Sequence, residues 1–193
     1  MRAKDHTGDP GMTNLLSGER VGKDHPRIEA CGDVDELSSV LGALAAALPP
    51  SRHGLLREIQ AIQGDLVRVG AFLATSPGSR AEAKLPGLGH ERSGWLESAI
   101  AGMETALPPL DGFILPGGHP TAAWAQVSRA VCRRAERRAA ALCPAGGEAD
   151  GETAAVLAYL NRLSAYLFAL ARFCNSIHGI PDVPWKGPAG GML

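Results

Sequence analysis

A chain of 193 residues with 45% hydrophobic and 20% charged side chains can bury one core without disulfide or metal staples. Its formal net charge of −1 excludes a global pull toward nucleic acid or an anionic membrane surface, so any polyanion site has to be local. Abundant alanine and sparse β-branched residues favour helix, no uninterrupted apolar run reaches membrane-spanning length, and the N-terminus lacks a signal-peptide pattern; the cytoplasm is the expected compartment.

Residues 1–27 scatter Gly8, Gly11, Gly18, Gly22, Pro10 and Pro26 among polar residues and read as an irregular arm. Within it, Thr7-Gly8-Asp9-Pro10-Gly11-Met12-Thr13 offers backbone N–H groups and hydroxyls to a phosphate, and Lys23 adds a charge, although the Gly-Lys-Ser/Thr ending of a Walker A loop is missing. A first helix is expected from Asp33 to Ala47, with Asp33 as N-cap, Glu36 three residues on, and Leu37, Val40, Leu41, Leu44 and Leu48 on one face. Pro49-Pro50 ends it.

A second helix spans Arg52 to Thr75, with Leu55, Leu56, Ile59, Ile62, Leu66, Val69 and Leu73 as its buried stripe. A glycine- and proline-rich loop over 76–89 leads to a third helix, His90 to Ala106, with Trp95, Leu96, Ile100 and Met103 inward. Phe113-Ile114-Leu115 then reads as a short extended segment, and Gly117-Gly118 allows close backbone approach to a neighbour. The fourth helix runs from Pro120 to Cys143 and the fifth, the most apolar, from Glu152 to His178 with Leu160, Leu163, Leu167, Leu170 and Cys174 as its core stripe. The tail over 179–193 is expected to be loosely ordered apart from Trp185, which can pack down. The expected architecture is all-α: an antiparallel five-helix bundle forming one domain over 1–193.

The chemistry concentrates in Arg129-Ala-Val-Cys-Arg-Arg-Ala-Glu-Arg-Arg138. Trp124, Val131, Ala135 and Leu142 mark an apolar face, and Arg129, Arg133 and Glu136 form a stripe beside it, while Arg134 and Arg138 project toward a solvated edge. Arginines four apart repel by roughly 0.2–0.5 kcal/mol on an isolated helix, so this stripe calls for carboxylates or a bound polyanion. On the fifth helix, Asn161 and Arg172 lie along an adjoining stripe. Cys31, Cys132, Cys143 and Cys174 show no metal-binding or redox spacing, and Cys132 and Cys174 suit the core. A lone basic helix in a chain of nearly zero net charge argues against a nucleic-acid surface.

Six stretches in order resemble the PduO-type ATP:cob(I)alamin adenosyltransferases, the cobalamin adenosyltransferase family: Thr7-Gly8-Asp9 to Gly11; Lys23-Asp24 with Pro26-Arg27; Gly32 to Leu37; Phe113 to Gly118; Arg129 to Arg138; and Tyr159 to Ser164. The resemblance implies a five-helix bundle that assembles as a homotrimer with ATP and cobalamin between subunits. It implies attack by Co(I) on C5′ of ATP, which releases triphosphate with Mg²⁺ helping. It puts Arg133 on the phosphates as a catalytic group, with Arg134, Glu136 and Arg137 beside it and Asn161 reaching the nucleotide. Arg129 pairs with Asp35 across the subunit interface. Thr7, Gly8, Asp9, Gly11, Thr13 and Lys23 wrap the triphosphate, and Phe113 displaces the lower axial ligand of cobalamin. A reductase or an acceptor mutase is a possible partner, and neither nucleic acid nor a membrane is expected. The chain departs from the family pattern at Asp5, His6, Pro10, Met12, Gln126 and Ala165. Asp5, Met12 and Ala165 motivate the alternative of a diverged paralogue that binds nucleotide or corrinoid with altered or lost transfer.

Overall fold

A computed structural model describes residues 10–143, 149 and 151–187. Thr7, Gly8 and Asp9 of the expected nucleotide arm lie outside the described residues, as do Asp5 and His6. The described arm is more regular than expected. β1 (Met12–Asn14) and β2 (Arg20–Gly22) form an antiparallel hairpin with Thr13 opposite Val21, and the backbone N–H of Lys23 donates to Gly11 O at 2.9 Å.

The first helix, α1, spans Pro26–Ala47 and not Asp33 to Ala47. Its start is set by His25, whose side chain accepts from the backbone N–H of Arg27, and by Pro26, whose fixed φ suits the first turn. Asp33 is therefore not a cap: it lies two turns inside. Gly32, which looks like a boundary in the sequence, is tolerated in the helix interior because the buried stripe runs on through Ala30, Val34, Leu37, Leu41 and Leu44. The remaining helices lie close to their expected positions: α2 (His53–Leu73), α3 (His90–Glu104), α4 (Pro120–Ala140) and α5 (Gly151–Ser176). One 3-10 turn, Glu82–Lys84, interrupts the loop between α2 and α3.

Side-chain pairs fix the directions of the helices. Along α1, Glu29, Asp33 and Glu36 meet Arg138 and Arg134 of α4 in reverse order, so the two run antiparallel. Asp65 and Glu58 of α2 meet Tyr159 and Tyr166 of α5, again reversed, and Glu97 of α3 bonds Arg162 of α5. The chain thus alternates direction helix by helix, and the five pack into one bundle. Its core contains Leu37, Leu41, Ile59, Ile62, Leu96, Ala135, Leu160, Leu163, Leu167 and Leu170, all fully buried. α5 is long and apolar enough to cross a membrane by length and composition, but 61% of its most apolar window is buried in the bundle, as befits a central helix.

A charged cluster centred on Asp65 is built into this core. Asp65 accepts from Arg92 Nη2 at 2.6 Å and from the Tyr159 hydroxyl at 3.0 Å, and Arg92 lies 4.9 Å from the Trp95 ring centre. Burial, reinforced by Asp65, pushes the Tyr159 hydroxyl well above its ordinary range, so it stays a donor. The Asp65→Ala change strands both partners and is expected to cost about 3–5 kcal/mol, measured as the shift in denaturant unfolding at unchanged m-value. A loss below about 1 kcal/mol would contradict this account.

Candidate functional site

α4 carries five arginines between Arg129 and Arg138, and the fold divides them into two groups. Toward α1, Arg134 Nε donates to Asp33 Oδ1 at 3.2 Å and its Nη2 to Glu36, while Arg138 Nη2 lies 3.5 Å from Glu29 Oε2. Arg134 and Arg138 are thus not a bare solvated edge; they are the α4 side of a cross-helix ionic seam. Asp33 Oδ2 is buried without a hydrogen bond and sits 3.9 Å from Arg138 Nε, at ion-pair distance.

The other group faces outward. Arg129 is half-buried and donates through Nε to Gln126 Oε1 at 2.8 Å. Arg133 and Arg137 are exposed, and neither guanidinium has a hydrogen bond or ion pair among the described residues. Arg129, Arg133 and Arg137 follow at four-residue intervals and so share one side of the helix, about 6 Å apart along its axis. Trp124, expected on the apolar face, is 40% exposed, because Ala122, Ala125, Ser128, Val131 and Cys132 are the residues that turn inward. Small side chains there let α5 approach closely, and Cys132 Sγ donates to Leu160 O at 3.2 Å. Burial pushes that thiol far above its ordinary range, so it is an inert core group and not a nucleophile.

The structure joins two residues that the sequence placed separately: Asn161 Nδ2 donates to Glu136 Oε1 at 3.0 Å. Asn161 is exposed, where half-burial was expected, because it lies at the edge of the α4–α5 contact. Asp35 is also exposed and makes no pair with Arg129 inside the chain. In the arm, Thr13 and Lys23 line an open cleft of about 450 Å³ together with Ile28, Glu29, Gly32 and Asp33 of α1; this cleft includes no α4 residue. Among the described residues, that cleft and the Arg129, Arg133 and Arg137 side of α4 share no lining residue.

Phe113 lies at the opposite end of the bundle from the arm and is 76% exposed. The following residues Ile114–Leu115 form β3, which pairs antiparallel with β4 (Val183–Pro184), so the expected loose tail is tied down at least to this point. Trp185 does pack down: its ring stands edge-on to Phe113 with centroids 6.4 Å apart. Sequence reasoning missed two groups that hold the site's frame. Arg27 Nη1 donates to Leu73 O at 3.1 Å and Thr75 O at 2.8 Å, which caps the end of α2 beneath the hairpin. Arg172, placed only on a neighbouring stripe, is 7% exposed and ion-paired with Asp182 at 2.8 Å. An arginine within the most apolar helix was the available signal for the second.

Among the described residues, no group of three or more His, Cys, Asp or Glu side chains converges to hold a metal ion.

The fold is a helical bundle that carries, on one surface, arginines without an ion pair among the described residues, a neighbouring amide and an exposed aromatic ring. The cobalamin adenosyltransferase family model matches residues 4–174, and the chain belongs to that family. It is 40% identical to the corrinoid adenosyltransferase of Bacillus subtilis over 191 residues, which covers 98% of this chain and 94% of the relative. Against the corrinoid adenosyltransferase MMAB of Bos taurus it is 42% identical over 182 residues, 93% of this chain and 74% of the relative. A solved variant of the PduO-type ATP:corrinoid adenosyltransferase from Lactobacillus reuteri, complexed with cobalamin and ATP, superposes with a TM-score of 0.87 at 32% identity, covering 96% of this chain and 97% of that one.

If the stripe is for a ligand and not for the fold, its removal should leave stability intact. Arg133→Ala and Arg137→Ala are each expected to change the unfolding free energy by less than about 0.5 kcal/mol in chemical denaturation. A loss above about 2 kcal/mol from either would make it a structural residue.

Proposed function

We propose that this chain transfers the 5′-deoxyadenosyl group from ATP to cob(I)alamin, giving adenosylcobalamin and triphosphate. The observation that carries the reading is the outward stripe of Arg129, Arg133 and Arg137, which has no carboxylate partner among the described residues while Arg134 and Arg138 are neutralised by α1. Family membership and the structural likeness to a protein complexed with cobalamin and ATP support it.

In this reading the Co(I) electron pair forms the bond to C5′ while the C5′–O bond breaks and its electrons pass to the departing triphosphate. The protein's task is to fix the chain of phosphates in line and to stabilise charge as it collects on the leaving oxygen. Arg133 does this directly. Arg137, and Arg134 where the ion-pair seam releases it, add to the same field, and Glu136 orients Asn161 toward the nucleoside. Mg²⁺ rides on the phosphates, consistent with the lack of a carboxylate cluster among the described residues.

The site is completed between subunits of a homotrimer. Two features support this: among the described residues Asp35 and Arg129 each lack an ionic partner, and no α4 residue lines the cleft of Thr13 and Lys23. Asp35 of one subunit pairs with Arg129 of the next, and the arm, with Thr7, Gly8, Asp9, Gly11, Thr13 and Lys23, wraps the triphosphate held on the neighbour's α4. Phe113 occupies the lower face of the corrin and displaces its axial ligand. Residues 1–193 act as one domain in the cytoplasm, where the buried free thiols Cys132 and Cys174 are kept reduced. A reductase that delivers Co(I) and a mutase that accepts the product are the partner classes this chemistry calls for.

Purified protein with ATP, Mg²⁺ and chemically reduced cobalamin under anaerobic conditions should give the absorbance spectrum of adenosylcobalamin. Arg133→Ala should lower turnover by about 10²–10³-fold, the usual loss for one donor to a developing charge. Absence of product from the folded wild-type protein would contradict the proposal and favour the diverged paralogue.

A further inference from the structure

We propose that Arg172 and Asn175, one turn apart on α5, are positioning residues that hold Phe113 in place for the corrin, a role that rests on the transferase reading above. An aromatic ring that is 76% exposed cannot be located by its own burial. Its position has to come from the backbone that carries it, and that backbone is fastened at both sides by α5.

Downstream of Phe113, Asn175 Nδ2 donates to Gly117 O at 3.0 Å and Asn175 Oδ1 accepts from the backbone N–H of His119 at 2.9 Å. The turn is shaped to this amide: Gly118 has φ +96°, and a Cβ there would collide with the Asn175 side chain. Upstream, Arg172 Nη2 donates to Pro108 O at 2.7 Å, which fixes the start of the segment leading to Phe113. The same guanidinium donates through Nε to Asp182 Oδ2 at 2.8 Å. Asp182 directly precedes β4, which pairs Val183 with Leu115 and Pro184 with Ile114, and the N–H of Trp185 donates to Phe113 O at 2.8 Å.

Polar anchors carry this load because apolar packing is thin. The ribbon lies over a cavity of about 170 Å³ lined by Ile114, Gln126, Arg172, Asn175, Asp182 and Val183, and its outer face leaves Leu115 and Val183 51% and 54% exposed. Arg172 is 7% exposed and Asn175 9%, so neither is offered to solvent or to a substrate directly. Their effect on the corrin passes through Phe113 and Trp185.

The test uses Arg172→Ala, Asn175→Ala and Asp182→Ala, the last on the ribbon outside the helices so that the bundle folds without it. Amide hydrogen exchange comes first and does not depend on activity: exchange at Trp185 should accelerate by at least about tenfold, with α4 and α1 unchanged. In the anaerobic assay, KM for cobalamin should rise by at least about tenfold while KM for ATP moves less than about twofold. The electron paramagnetic resonance spectrum of bound cob(II)alamin should shift toward the form that keeps its lower ligand. Asp182→Asn, which keeps an acceptor oxygen, should restore most of the corrinoid KM. Unchanged Trp185 exchange overturns the anchoring, and equal rises in both KM values overturn the positioning role. Accelerated Trp185 exchange in the variants, together with a wild-type protein that makes no adenosylcobalamin, would instead place the failure in the transferase reading.

Discussion

The ionic seam between α1 and α4 sorts one run of arginines into two groups. Glu29, Asp33 and Glu36 repeat at helical intervals on α1 and take up Arg134 and Arg138. Each of these pairs is at least partly exposed, and such contacts contribute little stability one by one. Their consequence is spatial. With the α1-facing arginines paired, Arg129, Arg133 and Arg137 are left without an ion pair among the described residues. A helix that concentrates five arginines in ten residues would otherwise present an undirected positive surface; the seam turns it into a stripe.

The two ends of the bundle divide the rest of the work. At one end the hairpin of the arm is fastened to α2: Leu15 is buried, the N–H of Leu16 donates to Ala74 O at 2.7 Å, and Ser17 Oγ accepts from the Ser76 N–H at 3.0 Å. At the other, α5 holds the Phe113 turn. Between them runs the outward face of α4, whose 21 residues span about 30 Å, enough for an extended nucleotide and a flat ring system to lie in sequence along one surface. The core beneath is small-residue packing between α4 and α5, which gives the surface a rigid backing.

Much of this was legible from the residues, and the failures have physical reasons. Periodicity located α2 through α5 closely, because their apolar stripes are long and bounded by proline or glycine. The start of α1 was misplaced because a capping-box pattern at Asp33 looks the same whether it caps a helix or pairs across one. Only tertiary contact separates the two. Trp124 was assigned inward by its spacing to Val131, Ala135 and Leu142, whereas close helix packing selects alanine and serine at that contact. Spacing alone placed Arg129, Arg133 and Glu136 on one stripe, whereas the contact between Glu136 and Asn161 on another helix came only with the fold. Asp33, Asn175 and Asp182 were not legible as partners, since each acts on residues from 56 to 101 positions away, or in the last case through a ribbon of two-residue strands.

The most direct test of the central claim is calorimetric titration of the assembled protein with inorganic tripolyphosphate, the leaving group alone. The account predicts binding that weakens with added salt and falls by at least about tenfold in Arg133→Ala, while Arg52→Ala, a change away from the stripe, leaves it unaltered. Tripolyphosphate binding of equal strength in wild type and Arg133→Ala would contradict the assignment of the α4 stripe as the phosphate site.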